Sequence, residues 1–118
     1  SLQQLSLGRD FNQKIRKGVL PGNLRRLQFG TRFNQQIAPG VLPAHLEELT
    51  FGENFDQKIE KGVLPINLQQ LNFQNVNYTQ TIERGILPVS LKNMTFGCPE
   101  QRYTDAGNVG KWICNPQF

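Results

Sequence analysis

The chain has 118 residues, 37% of them hydrophobic and 19% charged, with a formal net charge of +4. That composition excludes a disordered tail, and no apolar run approaches the ~18 residues that a membrane span needs. The length suffices for one domain, and a single histidine with two cysteines leaves little material for catalysis or metal binding.

Self-similarity organises nearly everything that follows. Units begin at Leu2, Leu24, Leu46, Leu68 and Leu91, a period of 22 with one extra residue in the fourth unit near Asn75 to Asn77. Each opens L-x-x-L-x-[LF], as in Leu24, Leu27 and Phe29. Alternation at the last two apolar positions predicts a short strand with one buried face. Gly8, Gly30, Gly52 or Gly97 follows, suited to a bend where a side chain would obstruct. Next comes F-[ND]-Q-x-I (Phe11 to Ile15, Phe33 to Ile37, Phe55 to Ile59), and the unit closes G-[VI]-L-P. Too few residues separate that glycine from the proline for a helix of normal length, so the return path is irregular or 3₁₀.

One strand per 22 residues predicts a mainly β solenoid of parallel strands, with equivalent residues stacked in columns. Leu5, Leu27, Leu49, Leu71 and Met94 form one column; Leu7, Phe29, Phe51, Phe73 and Phe96 form the next; Phe11, Phe33, Phe55 and Tyr78 form a third. Seven of the eight phenylalanines fall in register, which marks them as core rather than as a base-stacking platform. Beside them Asn12, Asn34 and Asp56 form a polar column, expected to be a structural ladder that satisfies backbone groups in buried turns.

Residues 98–118 break the repeat. They carry Tyr103, Trp112 and Phe118 and read as a C-terminal cap on an array spanning residues 1–97. Cys98 and Cys114 bracket the cap; in an oxidising environment a disulfide between them would contribute ~3 kcal/mol, and reduced thiols fit a reducing one equally. At the other end no cap precedes the first strand. The expectation is the C-terminal part of a longer array whose open first strand pairs with that of a second copy, giving a homodimer.

These motifs resemble the FNIP repeats, a short variant of the leucine-rich repeat. The resemblance rests on Phe33-Asn34-Gln35-Gln36-Ile37, Gly40-Val41-Leu42-Pro43 and the next unit's Leu46-x-x-Leu49-x-Phe51-Gly52, and extends from residue 2 to about 97. The chain departs from the family pattern where proline usually precedes the isoleucine: Lys14, Gln36, Lys58 and Thr81 stand there. The resemblance implies a leucine-rich-repeat solenoid and protein recognition, with no cofactor, substrate or catalytic residue. Such proteins occur in amoeboid protists and large DNA viruses, and the expected location is the cytoplasm, the host's if the chain is viral.

The residues themselves offer no catalytic constellation. His45 occupies the turn slot of Asn23, Asn67 and Ser90, and one histidine cannot complete a Ser-His-Asp arrangement. Glu47 and Glu48 are consecutive in a strand, so they should point to different faces and form no glycosidase-like pair. Cys98, Cys114 and His45 fall short of four zinc ligands, and no loop has the spacing for calcium or phosphate. No metal, no cofactor and no enzyme activity are expected.

What remains is the outward face of the strands. Arg25, Arg26, Gln28, Glu47, Glu48, Thr50, Gln69, Gln70 and Asn72 vary from unit to unit while the core repeats, and they are the candidate binding residues for a protein partner. Arg25–Glu47 and Arg26–Glu48 are also expected as cross-strand ion pairs, worth ~0–1 kcal/mol each. Two rival readings stand beside this one. One is an anion or nucleic-acid site on the basic first two units, disfavoured by the sign reversal at Glu47 and Glu48; the other is a purely structural array.

Overall fold

The computed structural model describes residues 3–75, 80, 82–96, 101–104 and 111–114, with backbone alone for residues 83, 84 and 96 and the last two stretches. The strands are β1 (Gln4–Ser6), β2 (Arg26–Gln28), β3 (Glu48–Phe51), β4 (Gln70–Phe73), β5 (Ile82–Glu83), β6 (Asn93–Phe96), β7 (Gln101–Thr104) and β8 (Lys111–Cys114). A parallel sheet in the order β1-β2-β3-β4-β6 forms the spine of a leucine-rich-repeat solenoid. Its register is the repeat itself: Leu5 faces Leu27, Leu27 faces Leu49, Leu49 faces Leu71 and Leu71 faces Met94.

The path between strands is built from turns. An N–H three residues on closes each corner: Phe11 to Gly8 O and Phe55 to Gly52 O, then Val19 to Arg16 O, Val41 to Ala38 O and Val63 to Glu60 O. Leu24, Leu46, Leu68 and Leu91 close the last corner onto Pro21, Pro43, Pro65 and Pro88. The middle corner needs a left-handed residue, and Gly18, Gly40 and Gly62 supply it at φ 87–88°. That is the third position of a type II turn, which Pro39 before Gly40 further presets. Three turns leave no room for a helix; among the described residues only the fourth coil has a 3₁₀ turn, Arg84–Ile86.

A coil cannot bury its own apolar face, so each core forms between coils. Leu24, Leu46 and Leu68, with Leu27, Leu49 and Leu71, are almost wholly excluded from solvent. The phenyl rings form two interleaved stacks. Along the strand column the centroids are 5.4 Å apart, Phe29 to Phe51 and Phe51 to Phe73. Along the column after the bend they are 6.0 and 6.1 Å apart, Phe11 to Phe33 to Phe55. Within a coil the columns touch, Phe29 to Phe33 at 4.1 Å and Phe51 to Phe55 at 3.9 Å.

The tail makes a second sheet, in the order β5-β8-β7 and antiparallel throughout. Ile82 pairs with Trp112 and Glu83 with Lys111, so the tail adds to the return segment of the fourth coil and not to the main sheet. Cys98, and with it the proposed Cys98–Cys114 bridge, lies outside the described residues, as does Tyr78.

The bend after each strand is the tightest point of the stack. A Cβ on Gly52 would lie well inside contact distance of the Gly30 carbonyl, and one on Gly30 would collide likewise with Gly8. Backbone cannot yield there as a flexible side chain could. Gly52→Ala should therefore cost about 2 kcal/mol or more by overpacking. Gly22→Ala, which meets nothing within 4 Å, should stay within about 0.5 kcal/mol of wild type. Urea unfolding of both variants checks this, and equal midpoints would show that the coils can separate at the bend.

Candidate interaction face

The outward residues of the sheet lie where the repeat pattern puts them. Arg25, Arg26, Gln28 and Gln69 are exposed; Glu47, Glu48, Thr50, Gln70 and Asn72 are half-buried. The expected separation of Glu47 and Glu48 onto opposite faces does not occur. Leu46 and Leu49 are both buried, which leaves both glutamates at the surface. Double donation to a single carbonyl is the cause. Glu47 and Glu48 N–H both point to Arg25 O, at 2.7 and 2.9 Å, and Arg25 and Arg26 share Gln3 O in the same way. Gln69 and Gln70 repeat it on Glu47 O, as Lys92 and Asn93 do on Gln69 O. This bulge-like entry to each strand suspends the alternation locally and brings two residues per coil to the surface before the pleat begins.

Side chains on this face hold one another. Arg25 Nη1 is 2.5 Å from Glu47 Oε2, and Arg26 Nε is 3.4 Å from Glu48 Oε2. Further along, Asn72 Nδ2 donates to Thr50 Oγ1 at 3.2 Å, and Thr95 Oγ1 donates to Asn72 Oδ1 at 2.6 Å. Gln70 Nε2 reaches the same Asn72 Oδ1 at 3.4 Å. Between these groups lies a shallow depression bordered by Arg26, Glu47, Glu48, Gln69, Gln70, Lys92 and Asn93. The chemistry on offer is polar recognition by groups of both signs, already held in place. Among the described residues no three of His, Cys, Asp or Glu are grouped, and no helix is long and apolar enough to cross a membrane.

The polar column sits away from this face. Asn34 N–H donates to Asn12 Oδ1 and Asp56 N–H to Asn34 Oδ1, both at 2.9 Å. The turns it serves are less enclosed than expected. Asn12 is exposed and Asn34 and Asp56 are half-buried, because the short side chains line the rim of the coil rather than its centre.

A second column shares the task, and its sequence signal was available. Gln35 Nε2 donates to both Asn12 O and Oδ1, and Gln57 Nε2 to both Asn34 O and Oδ1. Gln80 Nε2 continues to Asp56 O at 3.4 Å. Glutamine recurs beside the asparagine at positions 13, 35, 57 and 80; its constancy marked it as structural. At the corner before the strand, Asn67 Nδ2 donates to Ala44 O, and Ser90 Oγ to Ile66 O and Leu68 O. His45 holds the equivalent slot and borders a depression with Gln3, Asn23 and Arg25.

The comparisons agree with this geometry. The sequence model of the FNIP Repeat matches three times, over residues 1–31, 11–54 and 55–99. The chain belongs to the FNIP-repeat family. No curated protein matches it. Among solved structures it is similar to CroV588, described as a novel circular LRR protein, with 46% identity and a TM-score of 0.76. The match covers 80% of this chain and 14% of that one, so the FNIP repeats described here correspond to a small part of that protein. The family and the fold together make the chain a repeat scaffold.

Removing one rung tests the ladder. Asn34→Leu keeps side-chain bulk but deprives the Asp56 N–H and the Gln57 amide of their shared acceptor. The expected loss is ~1–3 kcal/mol, nearer the lower figure because water reaches the rim. A denaturation midpoint equal to wild type would mean that solvent replaces the rung at no cost.

Proposed function

We propose that the chain is a non-catalytic scaffold that presents the sheet face, from Arg25 and Arg26 through Glu47, Glu48 and Thr50 to Gln69, Gln70 and Asn72, to a protein partner. The observation that carries this reading is the ordering of those side chains before any partner arrives. Immobilising a rotamer-rich side chain on binding costs ~0.5–1.5 kcal/mol. Arg25, Arg26, Glu47, Glu48, Thr50 and Asn72 already have intramolecular partners. Short polar side chains over a rigid parallel sheet also suit a contact surface better than a reaction centre, which needs a proton acceptor aimed at a substrate. On this reading residues 1–97 are the recognition array, residues 98–118 close its end, and the protein works in the cytoplasm. Nucleic acid is the poorer partner for this face, because the Arg25 and Arg26 charges are each opposed by a glutamate.

The test begins with affinity capture from the source cell using the full-length protein, followed by binding measurements with the purified candidate. The triple variant Glu48→Ala, Gln70→Ala, Asn72→Ala should weaken a true partner at least tenfold while leaving the melting temperature within a few degrees. Unchanged affinity would move the binding site off the sheet.

A second reading, self-association, has its own support. Val19 is 65% exposed whereas its equivalents Val41 and Val63 are 6% and 2% exposed, and Leu5, Leu7, Phe11 and Leu20 are only partly covered. A second copy, pairing its first strand antiparallel with this one, would cover that surface. The chain should then dimerise weakly, more so at high salt where Arg9, Arg16 and Lys17 repel less. Light scattering across a concentration and salt series checks this, and a strict monomer at high concentration and high salt would exclude it.

A further inference from the structure

Folding sorts the charges by column, and the result differs from their order along the chain. On the sheet face Arg25 and Arg26 are matched by Glu47 and Glu48. At the bend Arg32 Nε is 3.2 Å from Asp10 Oδ1. The return segment is otherwise. Lys14, Arg16, Lys17, Lys58 and Lys61 stand there against Glu60 and the half-buried Asp56, five cations to two carboxylates, a net charge of +3. All five cations and Glu60 are exposed. Among the described residues none of the five cations takes part in an ion pair, whereas Arg25, Arg26 and Arg32 each do.

The cations are also placed in a pattern. Lys14 and Lys58 hold the same slot two coils apart, with Gln36 between them; Lys17 and Lys61 hold the same slot with Pro39 between them. Lys17 does not stay on its own coil. Its Cε and Nζ come within 3.6 and 3.9 Å of the position a Cβ on Gly40 would take, so its ammonium leans across the second coil. Two coil steps make ~10 Å at the inter-strand spacing and about 12 Å at the 6.0–6.1 Å separation of the rings past the bend. Carboxylates four residues apart on an extended peptide share a face and are separated by ~13 Å, within reach of two flexible lysines.

We propose that the return face is a second interaction surface, which takes an extended acidic segment of a protein lying across the first three coils, with carboxylates four residues apart over Lys14 and Lys58. Duplex nucleic acid fits less well. Its continuous phosphate backbone would meet the neutral middle coil and Glu60, and no aromatic side chain is exposed there to stack on bases. An anionic lipid surface fits less well too, since the patch is interrupted by Glu60 and the neutral residues Gln36 and Ala38.

The experiment uses the full chain and a fluorescein-labelled eight-residue peptide with glutamates four residues apart in a serine background, followed by anisotropy at low salt. Lys14→Glu with Lys58→Glu should weaken binding at least tenfold. Arg25→Ser with Arg26→Ser, on the opposite face, should change it less than twofold. Circular dichroism of each variant verifies the fold, and affinity of the wild type should fall as salt rises. No binding by the wild type, or equal losses from the two faces, would overturn the proposal. So would tighter binding of a 20-base-pair duplex, or of phosphatidylserine-containing vesicles, than of the peptide.

Discussion

Every position in a coil rests on the equivalent position of the coil before it, about one inter-strand spacing away. A residue type is admissible at a slot only if it can stack on its own image or on a complementary neighbour. Phenyl rings satisfy this by lying nearly parallel, 3° apart between Phe29 and Phe51 and 4° between Phe33 and Phe55. Asparagine satisfies it because its side-chain oxygen accepts the N–H of the residue directly above. Glycine satisfies it at the bend, where Gly30 and Gly52 approach the carbonyl beneath too closely for any side chain. Like charges fail it, and on the sheet face arginine is followed by glutamate in both charged columns.

This rule explains how much could be read from the sequence. Residues under the stacking constraint repeat, and repetition is visible: the leucine and phenylalanine columns, the bend glycines and the asparagines all gave the register of the sheet. The glutamine column repeated just as faithfully, and its constancy carried the same signal, since each side chain reaches back one coil to the rung beneath. The placing of Glu47 and Glu48, by contrast, was illegible. Strict alternation assumes a regular strand, and paired donation to the Arg25 carbonyl is a backbone feature that side-chain pattern does not encode. The charge pairs of the sheet face were legible, because Arg25 and Glu47, and Arg26 and Glu48, hold the same slot 22 residues apart.

Variation has the complementary meaning. On the sheet face the slot of Ser6 is filled in turn by Gln28, Thr50, Asn72 and Thr95, all short or polar and all compatible with stacking, yet none required by it. Such positions are free to be shaped by a partner, though the residues themselves do not name it. The return segment varies too, from lysine to glutamine or proline and back to lysine, which keeps like charges from meeting on adjacent coils.

The two phenylalanine spacings have a geometric consequence. Coils that are 5.4 Å apart beside the strands and about 6.0 Å apart past the bend are wedges rather than slabs. A pile of wedges follows an arc, with the strands on the inner radius and the return segments on the outer. Area per residue therefore shrinks on one side and grows on the other. The crowded inside holds threonine and asparagine in mutual contact; the roomy outside gives the long lysine side chains space to spread.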